Sequence, residues 1–215
     1  KDTQRFRMII PSYPTLNIYT RIARKTTALG PVCIATIIDR MPGWSAEVLD
    51  ENNCRRLAPK TAEGVPDHNL LQKIRPVRAV GLYGGLTSTV PRLYEIARIY
   101  KEKQITTIAG GQHFVENNIE EALSSGIDYV VVGEGEDTIR ELLNVLDREQ
   151  DPASVKGIAF MKEGRVVRTP VRDPICIFER YPQPDFSLVR YAKLKIYPIE
   201  RVRGCGMDCE FCTVR

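Results

Sequence analysis

From residue 6 to residue 148, short apolar runs alternate with longer stretches in which apolar side chains recur every three or four positions. The short runs are "FRMII" (6–10), "AEVLD" (46–50), "RAVGLY" (78–83), "TTIAG" (106–110) and "YVVVG" (129–133). They are β-branched and nearly continuous in hydrophobicity, which is what strands covered on both faces require. Helical stretches separate them. In "STVPRLYEIARIYKEK" (88–103), Ser88 is the expected N-cap, Pro91 falls in the first turn, and Val90, Leu93, Ala97 and Tyr100 form one stripe. In "DTIRELLNVLDRE" (137–149) the stripe is Ile139, Leu142, Leu143 and Leu146, and "IEEALSSG" (119–126) stops at Gly126. The segment "GPVCIATIIDRMPG" (30–43) is apolar nearly all round and predicts a buried helix in which Cys33 packs rather than reacts. The alternation predicts an α/β fold: a Rossmann-like (flavodoxin-like), doubly wound parallel sheet of about five strands with crossover helices.

Beyond residue 150 the pattern changes. "GIAFMKEGRVVRTP" (157–170) predicts a hairpin turning at Glu163-Gly164 and adding an antiparallel edge. "YPQPDFSLVRYAKL" (181–194) predicts an extended crossing segment, and "KIYPIERVR" (195–203) a further strand leading into a cysteine-rich loop. The expected organisation is a first domain over 1–150, a hairpin and linker over 151–194, and the start of a second domain over 195–215.

Composition narrows the classes of function. The 215 residues carry 31 Lys+Arg against 27 Asp+Glu, a formal net charge of +4, with basic residues spread along the chain. That balance argues against nucleic acid or an anionic membrane as partner. No apolar run reaches the roughly 18 residues of a membrane span, so a cytoplasmic location is the expectation. The chain opens on Lys1 rather than methionine, and the expectation is a portion of something longer. Of six cysteines, Cys33, Cys54 and Cys176 are isolated, which does not resemble a secreted disulfide scaffold.

In an open parallel sheet ligands bind beyond the carboxyl ends of the strands. The residues there are "PSYPTLN" (11–17), "GGLTST" (84–89), "GGQHF" (110–114) and "GEGED" (133–137). Three of these four loops hold closely spaced glycines, which allow backbone to approach a large, flat ligand. No G-x-G-x-x-G is present, and Glu134 and Glu136 would repel a pyrophosphate, so a dinucleotide is disfavoured. Of the two histidines, His113 lies beside Gly110-Gly111 and His68 at a predicted helix start, where no function is assigned to it.

The sharpest signal is "RGCGMDCEFC", with Cys205, Cys209 and Cys212 in C-x-x-x-C-x-x-C spacing and Phe211 before the last. Thiolates suit soft metals and iron–sulfur clusters, and three of them suit a four-iron cluster with one iron left open. Structural zinc would want a fourth ligand, and none is near in sequence.

This loop resembles that of the radical S-adenosylmethionine superfamily, C-x-x-x-C-x-aromatic-C. The stretches "GPVCIATIIDRMPGWSAEVLDEN", "AGGQHF", "GIDYVVVGEGEDTIRELL" and "YPQPDFSLV" resemble the cobalamin-binding domain that precedes the catalytic barrel in one branch of it. The resemblance covers about 6–215. It implies that Cys205, Cys209 and Cys212 hold a [4Fe-4S] cluster whose open iron binds S-adenosylmethionine for reductive cleavage, with radical methylation or a related reaction of an unknown small-molecule substrate. A reducing partner such as flavodoxin or ferredoxin is implied for the intact enzyme. The cobalamin bed would comprise Ser12, Tyr13, Gly84, Gly85, Thr87, Ser88, Gly110, Gly111, His113, Gly133, Glu134, Gly135 and Glu136. One departure is that "PSYPTLNIYTR" lacks the D-x-H-x-x-G motif of domains that ligate cobalt through histidine. The rival expectations are a radical S-adenosylmethionine enzyme whose front domain binds no cobalamin, and a non-catalytic module with structural zinc at the cysteines. The barrel would continue beyond this chain, and the chain alone is expected not to turn over.

Overall fold

A computed structural model describes residues 3–14, 20–54, 57–205, 207, 209 and 210. All five predicted strands form: β1 (Gln4–Ile10), β2 (Trp44–Asp50), β3 (Ala79–Tyr83), β4 (Thr106–Gly110) and β5 (Tyr129–Val131). They pair in parallel in the order β2-β1-β3-β4-β5. The predicted hairpin, β6 (Ile158–Lys162) and β7 (Arg165–Arg168), extends the same sheet antiparallel to β5, making seven strands. Glu163 (φ 51°) and Gly164 (φ 76°) both take positive φ at its two-residue turn, the geometry that matches strand twist.

Helices α1 (Thr20–Ala23), α2 (Leu29–Asp39), α3 (His68–Ile74), α4 (Val90–Lys101), α5 (Asn117–Ser124) and α6 (Glu136–Asp147) complete the layers. Along the central strands alternate residues serve opposite faces, and both faces are apolar. Phe6, Met8, Ile108 and Val131 pack with α2 and α6, whereas Ile9, Val80, Ala109 and Val130 pack with α4 and α5. This is why the strands read as continuous hydrophobic runs.

Two expectations are corrected. Ser88 does not cap α4: Thr87–Thr89 form a 3-10 turn and Thr89 takes the cap position without a side-chain capping bond. Pro91 at the second helical position has no N–H for a cap to receive, and Thr89 Oγ1 donates instead to the Leu86 carbonyl at 2.8 Å. Nor does 195–203 form a strand. Its backbone contacts there are Lys195 and Ile196 N–H to the Lys25 carbonyl (2.8 and 3.0 Å), Pro198 lacks a donor, and no strand flanks it among the described residues.

The chain after β7 instead makes a strap. Arg172 donates to Thr138 Oγ1 (2.8 Å) on α6, and Tyr181 OH to Asp137 (2.9 Å) at its start. Asp185 N–H then donates to Thr36 Oγ1 (2.9 Å) on α2, Phe186, Leu188 and Val189 join the core there, and Arg190 N–H reaches the Val48 carbonyl (2.8 Å) on edge strand β2. The strap thus crosses the α6/α2 face from one side of the sheet to the other before returning to Lys25. Among the described residues no helix is long and apolar enough to cross a membrane.

Candidate functional site

The strand succession runs outward in opposite directions from β1 and β3, which opens a crevice at their carboxyl ends. A cavity of about 350 Å³ lies there, between the sheet and helices α2 and α6. Phe6, Met8, Gly81, Ile108 and Val131 form its apolar base, and Gly30, Pro31 and Ile34 of α2 one wall. Gly110 and Gly111 after β4, with Gly133, Glu134, Gly135 and Glu136 after β5, form the other side, and Glu200 and Arg203 reach its mouth.

Gly81, on the cavity lining, makes room for the side chains of β1. A Cβ on it would stand 2.7 Å from Phe6 Cζ and 2.9 Å from Met8 Cε. Its place as a lone glycine within the apolar run "AVGLY" is the signal, missed from sequence, that neighbouring side chains, here Phe6 and Met8, approach this strand closely. Gly111 needs its lack of side chain twice over, having φ +122° and the Gly84 carbonyl group 2.7 Å from where Cβ would be. Gly84 and Gly85 lie outside the cavity lining and serve packing, the first against the Phe114 ring and the second against the Tyr83 ring. Gly84 N–H donates to the Gly110 carbonyl (2.8 Å), and His113 N–H to the Gly84 carbonyl (2.9 Å), so the two glycine loops are stitched together.

His113, Thr87 and Ser88 also stand apart from the cavity lining. His113 Nδ1 is 3.2 Å from Thr87 Oγ1, while its Nε2 is buried with no hydrogen-bond partner among the described residues. Burial lowers the His113 pKa and favours a neutral ring. Ser12 and Tyr13 are held by the end of β2. Their N–H groups donate to Glu51 Oε2 (3.0 Å) and Asn52 Oδ1 (2.7 Å).

Glu51 belongs to a buried polar network that sequence reasoning did not foresee. Arg7 on β1, fully buried, bonds its register partner Glu47 on β2 at 2.7 Å and donates to Tyr100 OH at 2.8 Å. Tyr100 OH lies 3.1 Å from His68 Nδ1, and His68 Nε2 lies 3.1 Å from Glu51. Because Arg7 fills an acceptor site on the hydroxyl, the Tyr100 proton goes to Nδ1 and the Nε2 proton to Glu51, which makes His68 a neutral structural relay. Burial lowers the His68 pKa in the same sense. Burial would raise the Glu51 carboxyl, but hydrogen bonds from His68 and Arg92 outweigh it and hold the pKa near about 2. Neighbouring Asp50 goes the other way: burial pushes it up to about 6 despite bonds from Asn52 and Thr27.

The acidic "GEGE" loop is occupied by a cation of the chain itself. Arg203 Nη1 lies 2.7 Å from Glu136 and 3.0 Å from Glu134, and Nη2 2.9 Å from Glu200. Cys205, two residues on, is exposed and Cys209 half-buried, while Cys212 and Phe211 lie outside the described residues. Among the described residues no three His, Cys, Asp or Glu side chains are gathered to hold a metal ion. Cys33 is half-buried on α2, where burial drives its thiol pKa up to about 11, in keeping with packing.

Fold and crevice together define a doubly wound α/β domain with a cavity at its strand ends. Residues 22–143 match the B12 binding domain family, and the chain belongs to it. An uncharacterized methyltransferase of Pyrococcus horikoshii is 30% identical over 142 residues, spanning 60% of this chain and 30% of that protein. The anaerobic magnesium-protoporphyrin IX monomethyl ester cyclase of a Synechocystis strain is 32% identical over 95 residues, 41% of this chain and 19% of that protein. The chain therefore spans less than a third of the curated relatives it matches. Among solved structures, the radical S-adenosylmethionine methyltransferase TsrM of Kitasatospora setae, with cobalamin and a [4Fe-4S] cluster bound, shares the fold at TM-score 0.59 and 20% identity, over 86% of this chain and 32% of that one. The cobalamin-dependent S-adenosylmethionine radical enzyme OxsB, in its apo form, shares it at TM-score 0.64 and 16% identity, over 94% of this chain and 27% of that one.

Proposed function

We propose that the strand-end crevice holds cobalamin and that Cys205, Cys209 and Cys212 hold the [4Fe-4S] cluster of a radical S-adenosylmethionine enzyme, with methyl transfer as the class of reaction. The observation that carries the cobalamin reading is the apolar-based cavity at the strand ends of a B12 binding domain, lined by Phe6, Met8, Ile34, Gly81 and Val131. Gly110, Gly111 and Gly133 to Glu136 are its rim, where backbone can meet a ligand edge. Phe6, Met8, Ile34 and Val131 exclude water from its base. The cluster reading is supported by donor chemistry, three soft thiols closely spaced in one loop, and by the company such domains keep in the relatives above. When bound, cobalamin supplies a transferable methyl group, and the cluster supplies the electron that cleaves S-adenosylmethionine.

The chain's own part is to bind and orient these groups. His68 has both ring nitrogens engaged in the core and is not free to meet a ligand. The missing D-x-H-x-x-G motif favours a second reading, in which the crevice binds no cobalamin and helps enclose substrate.

Titrating the chain with hydroxocobalamin under equilibrium dialysis separates the two: one equivalent bound, with a changed visible spectrum, is expected, and no binding overturns the cobalamin reading. Anaerobic reconstitution with iron and sulfide tests the thiols. Iron and sulfide near four each per chain, lost on replacing all three cysteines by alanine, are expected; zinc uptake without iron would support a structural metal instead.

A further inference from the structure

The carboxylates of the "GEGE" loop and the cation that meets them all line the mouth of the crevice, together with Glu200. Glu136 is 6% exposed, so its charge requires a partner. That partner comes from outside the parallel-sheet domain. Arg203 bonds Glu134 and Glu136 through Nη1 and Glu200 through Nη2, and its guanidinium lies 4.9 Å from the Phe178 ring centroid on the strap. Glu134 accepts with its other oxygen from Ile175 N–H of the strap. One planar cation thus ties the β5 loop, the strap and the segment before the cysteines. A guanidinium suits this task because its fork can serve several carboxylate oxygens at fixed angles, which an ammonium cannot. Two residues of chain span at most about 7 Å, so fixing Arg203 confines Cys205 to the neighbourhood of the mouth.

We propose that Arg203 is a positioning residue that seats the first thiol of the cysteine loop at the mouth of the crevice, so that filling the crevice and ordering the loop are coupled. The positioning depends on geometry alone, whereas the coupling rests on the reading of the crevice as a cobalamin site. A ligand that packs against the ion cluster from within favours the seated loop, and by reciprocity the seated loop favours the ligand.

Backbone 15N order parameters across 199–205 test this in the whole chain, free and with hydroxocobalamin. Arg203→Met should lower them there to below about 0.6 while the core strands stay at about 0.85, and Glu136→Gln should move in the same direction. Arg203→Lys should recover part of the order. In the parent chain hydroxocobalamin should raise the values at 199–205, and Arg203→Met should bind it about tenfold more weakly. Equal values in parent and Arg203→Met overturn the positioning whatever cobalamin does. Tight hydroxocobalamin binding that is the same in both chains and leaves 199–205 unchanged overturns the coupling. Failure of the parent chain to bind hydroxocobalamin removes the cobalamin reading and the coupling together, while the difference in order between the variants still decides the positioning.

Discussion

Gly81 sits midway along β3 with the Phe6 ring and the Met8 thioether where its side chain would be. Gly81→Ala should therefore destabilise the fold by about 1–3 kcal/mol through overpacking. It should also weaken hydroxocobalamin binding at least tenfold in the same dialysis measurement; unchanged affinity and stability would show that the cavity is not used. Glu51 yields a pH prediction. Its folded pKa, near about 2, lies below its ordinary 4.5, so its contribution is complete above about pH 5 and is lost as the pH falls through 4.5 towards 2. The shift corresponds to about 3 kcal/mol. Unfolding free energies from urea titration of the parent and Glu51→Gln should differ by that order at pH 7 and converge only as the pH falls to about 2, whereas a constant gap would deny the ionic origin. Asp50 has the opposite sign: with a folded pKa near 6 against an ordinary 3.8, it holds its proton in the fold, and its cost arrives as the pH rises through that interval.

At the scale of elements, the periodic parts of the sequence were legible and the rest was not, for physical reasons. The five parallel strands carry their own signal, because each must be apolar on both faces, and the hairpin was announced by the two turn residues that take positive φ. The start of α4 was misplaced because a proline at its second position silences the capping signal. The segment 195–203 has strand-like residues, yet pairing requires a neighbour that a local pattern cannot supply. Within the site, the glycine rims after β4 and β5 were visible because glycine is conspicuous. The Arg7–Glu47–Tyr100–His68–Glu51 relay was hidden because its members lie on four elements and meet only after the sheet has formed. Arg7 within "FRMII" and Glu47 within "AEVLD" were the available hint: opposite charges inside apolar strands that turn out to be register partners. Likewise Glu134 and Glu136 were read as a deterrent to anions, whereas their role in the fold is to receive Arg203.

At the scale of the whole molecule, a ligand in the crevice touches β1, β3, β4, β5, α2 and α6 at once, so it should stabilise the fold globally rather than locally. Hydroxocobalamin at a hundredfold excess over Kd adds about 2.7 kcal/mol. At about 2–4 °C per kcal/mol for a chain of this size, Tm should rise by about 5–10 °C. An unshifted Tm at that excess would mean that the cofactor binds the unfolded chain equally well or not at all. The strap has a consequence for anyone who wishes to transplant this cofactor bed into another polypeptide. A seam cut at residue 150 would strip β6 from β5 and leave a bare strand edge open to aggregation. It would also remove Phe186, Leu188 and Val189 from against α2 and the β2 edge. A working graft would have to carry the chain through residue 190, so the portable unit is longer than its parallel strands.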